Sequence, residues 1–211
     1  MKDLIIIGAG GVGRETAWII EQINEEKETY NILGFIDADK EIWGKDINGY
    51  RCLGDLEYIL NSKYRGEVVV SIANYKVKKF IVNQLKKNNI KYATIIHPKV
   101  KIPKTTRIGI GTIVYEGAII SPNVIIGNHV IISPKVGIGH DSIIKDYASL
   151  LWNVNISGND LIEEGVMFGS GSTIIQNRKV GCHSIIGAGA VVIKDIDRDC
   201  TVIGIPAQKI Y

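Results

Sequence analysis

The chain has 211 residues, of which forty are isoleucine and 23 glycine, while aromatics make up 7%. Hydrophobic residues at 45% and charged residues at 22% are globular values and exclude a disordered chain. A formal net charge of +3 is too small to predict nucleic-acid or membrane-surface binding. The three cysteines, Cys52, Cys182 and Cys200, are odd in number and widely spaced with no CxxC. They argue for reduced thiols, not a disulfide frame. The apolar run in MKDLIIIGAGG is far too short to span a bilayer or form a signal-peptide core. A soluble, cytoplasmic protein is expected.

The first ninety-odd residues alternate strand and helix signals. Residues 4–7 are an apolar run that ends in Gly8-Ala9-Gly10-Gly11-Val12-Gly13. A helical stretch with Ala17, Trp18, Ile20 and Ile23 follows. Residues 31–37 (NILGFID) read as a second strand, 56–60 as a short helix and 68–72 (VVVSI) as a third strand. Helical spacing over 77–87 and a last strand over 92–96 complete the region. Such alternation predicts a parallel sheet with helices packed on it. Lys76, Lys78, Lys79, Lys86 and Lys87 read as the solvated face of the last helix.

The glycine-rich loop satisfies GxGxxG between a strand and a helix, where backbone N–H groups and the helix N-terminus favour phosphate. Asp37 ends the second strand, about where an acid would meet a ribose or base. A full dinucleotide domain needs two βαβαβ halves, and only residues 1–94 are available. Half a domain suits a mononucleotide, such as that of an activated sugar. Asn74 and Lys78, after the third strand, are further candidates for pyrophosphate or sugar contacts, evenly balanced against a solvated helix start.

Residues 95–211 follow a different rule. Every sixth residue from Ile96 to Val192 is aliphatic or Phe, without an insertion. Two residues before each hit stands mostly a small or β-branched residue, as at Val100, Thr106, Thr112, Ala118 and Val124. A period of six signals a parallel β-helix. Each unit is one short strand and a turn, and residues two apart share the inward face. Three units close a triangular coil of eighteen residues, and coils stack at roughly 4.8 Å. Isoleucine and valine then stack along a narrow prism with little room for aromatics. Glycines at 109, 127, 139, 169, 181 and 187 are expected to turn its corners.

This half resembles the hexapeptide-repeat acyltransferases, which fold as left-handed parallel β-helices and act as trimers. The general crossover rule gives the opposite hand, so handedness is what the resemblance implies. The run Ile186-Gly187-Ala188-Gly189-Ala190-Val191-Val192 and the tail Gly204-Ile205-Pro206-Ala207-Gln208-Lys209-Ile210 are similar to that superfamily's ending. With the Gly-rich domain in front, the layout is similar to the sugar acetyltransferases. These include the bacillosamine-pathway and perosamine N-acetyltransferases and the sialic-acid O-acetyltransferase-like proteins. The expected architecture is an α/β Rossmann-like half domain (βαβαβ) over 1–94, followed by an all-β left-handed parallel β-helix with a C-terminal tail over 95–211. The resemblance implies acetyl-CoA as co-substrate, a nucleotide-linked sugar as acceptor, and a homotrimer with active sites between subunits.

Acetyl transfer from a thioester needs a base for the attacking group and a donor for the developing oxyanion. Histidine suits the first task at working pH. Of His97, His129, His140 and His183, His140 falls two residues after the inward Ile138, where a side chain leaves the prism near a corner. The family places its catalytic histidine in such a H-(D/E) pair, so the resemblance assigns the base to His140, oriented by Asp141. Gly158 stands eighteen residues later, one coil on, and the family uses a glycine amide there to polarise the thioester carbonyl. His97 is read as a junction residue beside Pro98, and His129 and His183 as surface rungs.

For substrates, the resemblance carries over Gly10, Gly11, Gly13 and Asp37 on the nucleotide sugar. On acetyl-CoA it carries over Gly158, with Ala188 and Pro206 at matching positions along the pantetheine and adenine paths. Two positions depart from related N-acetyltransferases. Ser133-Pro134-Lys135 replaces an Asn-Thr-(Gly/Ser) stretch, and Ser149 stands where some carry a second histidine. The expected reaction is therefore N-acetylation of a nucleotide-linked amino sugar, with O-acetylation of a sialic acid or polysaccharide-precursor hydroxyl as the alternative. A zinc lyase on the same scaffold would need three histidines converging across a trimer interface, and the histidine spacings do not supply a close pair. No metal is expected. A non-catalytic nucleotide-sensing module is the remaining class.

Overall fold

A computed structural model describes residues 1–61 and 64–210. It divides into two compact units, Met1–His97 and Pro98–Tyr211. The division falls three residues beyond the boundary expected from the repeats (97 against 94). His97 belongs with the first unit: its side chain is buried and its Nε2 lies 2.9 Å from Gln22 Oε1.

In the first unit β1 (Lys2–Ile7) leads through the glycine-rich loop into α1 (Gly11–Glu26), and β2 (Tyr30–Ile36) follows. Then come β3 (Asp46–Ile47), β4 (Tyr50–Gly54), the single turn α2 (Glu57–Leu60), β5 (Glu67–Val70), α3 (Tyr75–Lys86) and β6 (Lys91–Tyr92). The sheet order is β3-β4-β2-β1-β5-β6, parallel throughout except for the β3–β4 pair. β1 lies between β2 and β5, and its Leu4, Ile5, Ile6 and Ile7 are all buried. That is why its sequence is a continuous apolar run instead of an alternating one.

The β3–β4 hairpin was not among the elements read from the sequence. Its signal is the dipeptide Asn48-Gly49, with φ of 53° and 87°. Asn-Gly at two successive positive φ values is the chemistry of a two-residue hairpin turn. The hairpin adds β4 alongside β2 and extends the half domain by two strands. The expected last strand over 92–96 is two short ones, β6 and Ile95–Ile96.

The second unit is a parallel β-helix. Two-residue strands recur every six residues from Arg107–Ile108 to Val191–Val192. Those up to Thr173–Ile174 pair in parallel with the strand eighteen residues on, as in Ile119↔Gly137, Gly137↔Asn155 and Asn155↔Thr173. The six-residue positions from Val114 to Val192 are all buried, and so are the residues two before them from Thr112 onward, apart from the half-buried Arg178. Each fully buried aliphatic side chain of this kind contributes about 1.5–3 kcal/mol.

The corners work differently from the sequence reading. The left-handed backbone does not fall on glycines 109, 127, 139, 169, 181 and 187. It falls two residues later, at every sixth position from Gly111 to Gly189. Nine of those positions hold Asn, Asp, His, Lys or Tyr, including Asn123, His129, Asp141 and His183. The first set of glycines serves close approach instead: a Cβ on Gly139 would lie 2.6 Å from the backbone nitrogen of Gly158 in the next coil.

The last coil is also shorter. Ile185 pairs with Thr201 and Val180 bridges Ile196, a register of sixteen. Ala188 therefore does not share a register position with Pro206. The strand Thr201–Ile203 turns back and pairs antiparallel with Gln208–Lys209. Among the described residues no helix is long and apolar enough to cross a membrane.

Candidate active site

The β-helix places His140 at a corner, where its side chain leaves the prism beyond the buried Ile138. Asp141 follows with φ 61°, a left-handed conformation that Asp tolerates better than most residues. That turn brings the carboxylate back onto the imidazole, with Nδ1 of His140 2.7 Å from Oδ2 of Asp141. The carboxylate accepts from Nδ1, which leaves Nε2 as the ring nitrogen turned away from Asp141. The bond to His140, and then one from Asn123, hold the Asp141 carboxyl below its ordinary value.

Nε2 faces the next coil. A Cβ on Gly158 would lie 2.7 Å from Nε2 and 2.8 Å from Cε1 of His140, so the ring lies against the bare Cα of Gly158. The backbone holds this approach through Asn159 N–H donating to the His140 carbonyl at 2.8 Å. The Gly158 N–H donates to no group among the described residues. The structure thus brings together an imidazole, an orienting carboxylate and an N–H one coil away.

The other histidines are built differently. His129, expected on the surface, is 4% exposed. Its ring stacks on Tyr147 with centroids 5.5 Å apart and planes at 9°. Gly111, one coil earlier, makes room for the ring, since a Cβ there would run into it. Burial follows from a column in which residue 111 has no side chain and residue 147 is aromatic. His183 pairs with Asp199 at 3.0 Å, but that carboxylate is shared with Arg198 at 2.8 Å.

Ala188 and Pro206 are both exposed on the second unit. Asn123 was not singled out by sequence reasoning. Its amide donates to Oδ1 of Asp141 at 2.9 Å. The signal that finds it is a spacing of eighteen from Asp141, one coil.

In the first unit a cavity of about 550 Å³ opens at the carboxyl ends of β1, β2 and β5. Ligands of open parallel sheets bind at such a crevice. It is walled by apolar side chains, among them Leu60, Ile72 and Phe80, and rimmed by Asp37, Asp55 and Glu57, with no lysine or arginine in its lining. Asp37 sits as the sequence predicts, at the end of β2, and also ties the glycine-rich loop: Oδ2 accepts from Ala9 N–H at 2.8 Å. Gly8, with φ +100°, lines the cavity.

Gly10, Gly11 and Gly13 do not line it. A Cβ on Gly13 would run into the Gly8 carbonyl oxygen, so this glycine lets α1 pack against the loop. Asn74 and Lys78 are likewise elsewhere. Asn74 caps α3, its side chain accepting from Val77 N–H at 3.2 Å.

Lys78 is fully buried, because it shares the inward face of α3 with Val82 and Leu85. Burial pushes its amine down to about 7. Between about pH 7 and the unfolded lysine value the unfolded chain holds the extra proton, so stability rises with pH across that window. Lys78→Met is expected to flatten this slope, by at most about 1.4 kcal/mol per pH unit, in denaturant melts at pH 7 to 10.

The fold is that of a hexapeptide-repeat protein. Residues 3–85 match the PglD N-terminal domain family. The acetyltransferase domain of PglB from Neisseria gonorrhoeae FA1090 superposes with a TM-score of 0.90 at 25% identity, covering 100% of both chains. A second structure of that domain, in complex with acetyl coenzyme A, gives 0.89 at 26% over 99% of each. WeeI from Acinetobacter baumannii AYE gives 0.84 at 25%, again over 100% of both. Over its whole length the chain is thus similar to these acetyltransferases in fold, a PglD-type N-terminal domain followed by a left-handed β-helix.

Among curated proteins, a serine acetyltransferase of Synechococcus elongatus is 32% identical over 105 residues, 45% of this chain and 43% of that protein. An acyl-[acyl-carrier-protein]–UDP-N-acetylglucosamine O-acyltransferase of Pseudomonas paraeruginosa is 30% identical over 112 residues, 49% of this chain and 43% of that protein. The chain thus spans less than half the length of these curated relatives.

Proposed function

We propose that the protein transfers the acetyl group of acetyl-CoA to the amine of a nucleotide-linked amino sugar, with His140 as general base. The observation that carries this reading is the His140–Asp141–Gly158 arrangement, in which Nδ1 is held by the carboxylate and Nε2 lies against the next coil. The amine nitrogen attacks the thioester carbonyl carbon while Nε2 takes its proton. The Gly158 N–H donates to the developing oxyanion. As the tetrahedral intermediate collapses the C–S bond breaks, and the imidazolium returns a proton to the departing thiolate. Asp141 stabilises the imidazolium in between. No covalent enzyme intermediate is required.

The cavity of the first unit supports the nucleotide part of the reading. Apolar walls and three carboxylates, with no cationic side chain, suit the N–H groups of a base and the hydroxyls of a ribose better than a pyrophosphate. Asp37 and Gly8 are assigned to that contact. Gly10, Gly11 and Gly13 shape the loop, and Asn74 and Lys78 hold α3. Ala188 and Pro206 are assigned to the acetyl-CoA surface of a homotrimeric, cytoplasmic enzyme. Serine at 133 and 149 keeps O-acetylation as the second reading. Product analysis separates the two: an amide survives mild base, whereas an ester is cleaved and returns free acetate.

A further inference from the structure

We infer that Asn123 is a positioning residue of the transfer centre, one that holds the Asp141 carboxylate in the orientation that fixes the His140 tautomer. The inference rests on the reading of His140 as the base. The side chains of His140 and Asp141 are 66% and 51% exposed. An exposed pair of this kind is weak by itself, because water competes and both side chains have other rotamers. Catalysis needs the imidazole held in place, so something must hold the carboxylate.

The stacking supplies it. Asn123 and Asp141 occupy the same corner of successive coils, with φ of 63° and 61°. The Asn123 backbone is anchored from the coil before, its N–H donating to Thr105 Oγ1 at 3.0 Å. Its amide donates to Asp141 Oδ1 at 2.9 Å, leaving Oδ2 for His140 Nδ1 at 2.7 Å. The ladder runs from Thr105 through Asn123 and Asp141 to His140, and each bond uses up a freedom the next group would otherwise have. A neutral donor is what the position requires. One coil to either side, the residues facing the pair are Pro122, Asn123, Gly158 and Asn159, none of them charged. Asp141 is therefore the charge that faces the imidazole from these corners.

Two variants test this in the full chain. Asn123→Gly keeps the left-handed turn and removes the amide, so folding is preserved. It is expected to lower kcat by about tenfold with the KM for acetyl-CoA unchanged. Combined with Asp141→Ala it is expected to cost nothing further, because the two residues act through one path. Asn123→Asp adds a second carboxylate beside the imidazole and is expected to move the acidic limb of the kcat profile to higher pH. An equal loss in the Asp141→Ala background, or an unmoved acidic limb in Asn123→Asp, overturns the inference. His140→Ala is measured alongside. If it is inactive while the Asn123 effects are additive, the positioning role alone fails. If it is fully active, the base assignment fails and the inference with it.

Discussion

Alanine in place of His140 is expected to lower the rate of acetyl transfer by about 10²–10⁴, the contribution of a positioned general base, or roughly 3–5 kcal/mol of barrier. The loss falls on kcat. His140 is an exposed corner side chain that packs into no core, so the coil folds without it. Acetyl-CoA affinity, read by calorimetry, is expected to remain within about twofold of wild type, because the base acts on the acceptor proton and not on the thioester. A structural histidine would behave in the reverse way. His129, buried in a stack between Gly111 and Tyr147, is the internal contrast, since its removal leaves a void.

The second large effect is expected at Gly158. A Cβ there would stand 2.7 Å from Nε2 of His140, well inside van der Waals contact. The group it meets is the end of an exposed side chain, so the ring swings away and the backbone stays. Gly158→Ala should therefore change stability by less than about 0.5 kcal/mol while costing about a hundredfold in kcat, the scale of a catalytic group displaced by about 1 Å. The alanine keeps the backbone N–H, so the loss reports the imidazole's place and not the oxyanion donor. Thermal melts and steady-state kinetics on the same preparation separate the two. A loss of folding with proportionate loss of activity would assign Gly158 to the scaffold instead.

The repeat made the second unit legible because one periodicity sets strand, register and interior together: a side chain every six residues, a coil every eighteen. The same periodicity places Gly158 over His140 and Asn123 under Asp141. What it does not contain is the irregular end. The coil after Val180 takes sixteen residues, which moves Ala188 out of register with Pro206. Nor does a count of glycines reveal which relieve close contact and which turn left-handed. Both kinds recur every six residues, and the left-handed positions also take Asn, Asp and His.

In the first unit the strand–helix alternation was readable, whereas Lys78 was not. It stands in a run of lysines that looks solvated, and its burial comes from sharing a helix face with Val82 and Leu85. The cavity escaped a motif-based reading for a related reason. GxGxxG draws attention to the loop, but the lining comes from strand ends and from α2 and α3, which only the folded sheet brings together.

The central claim is that His140 drives acetyl transfer to the amine of a nucleotide-linked sugar. The most direct measurement is thiol release from acetyl-CoA, by wild type and by His140→Ala, over a panel of nucleotide-linked amino sugars, the corresponding free sugars and L-serine. Rapid release by the wild type is expected with a nucleotide-linked amino sugar alone, and its loss in His140→Ala. Release with L-serine or free sugars in preference to the nucleotide-linked amines, or undiminished release by His140→Ala, would contradict it.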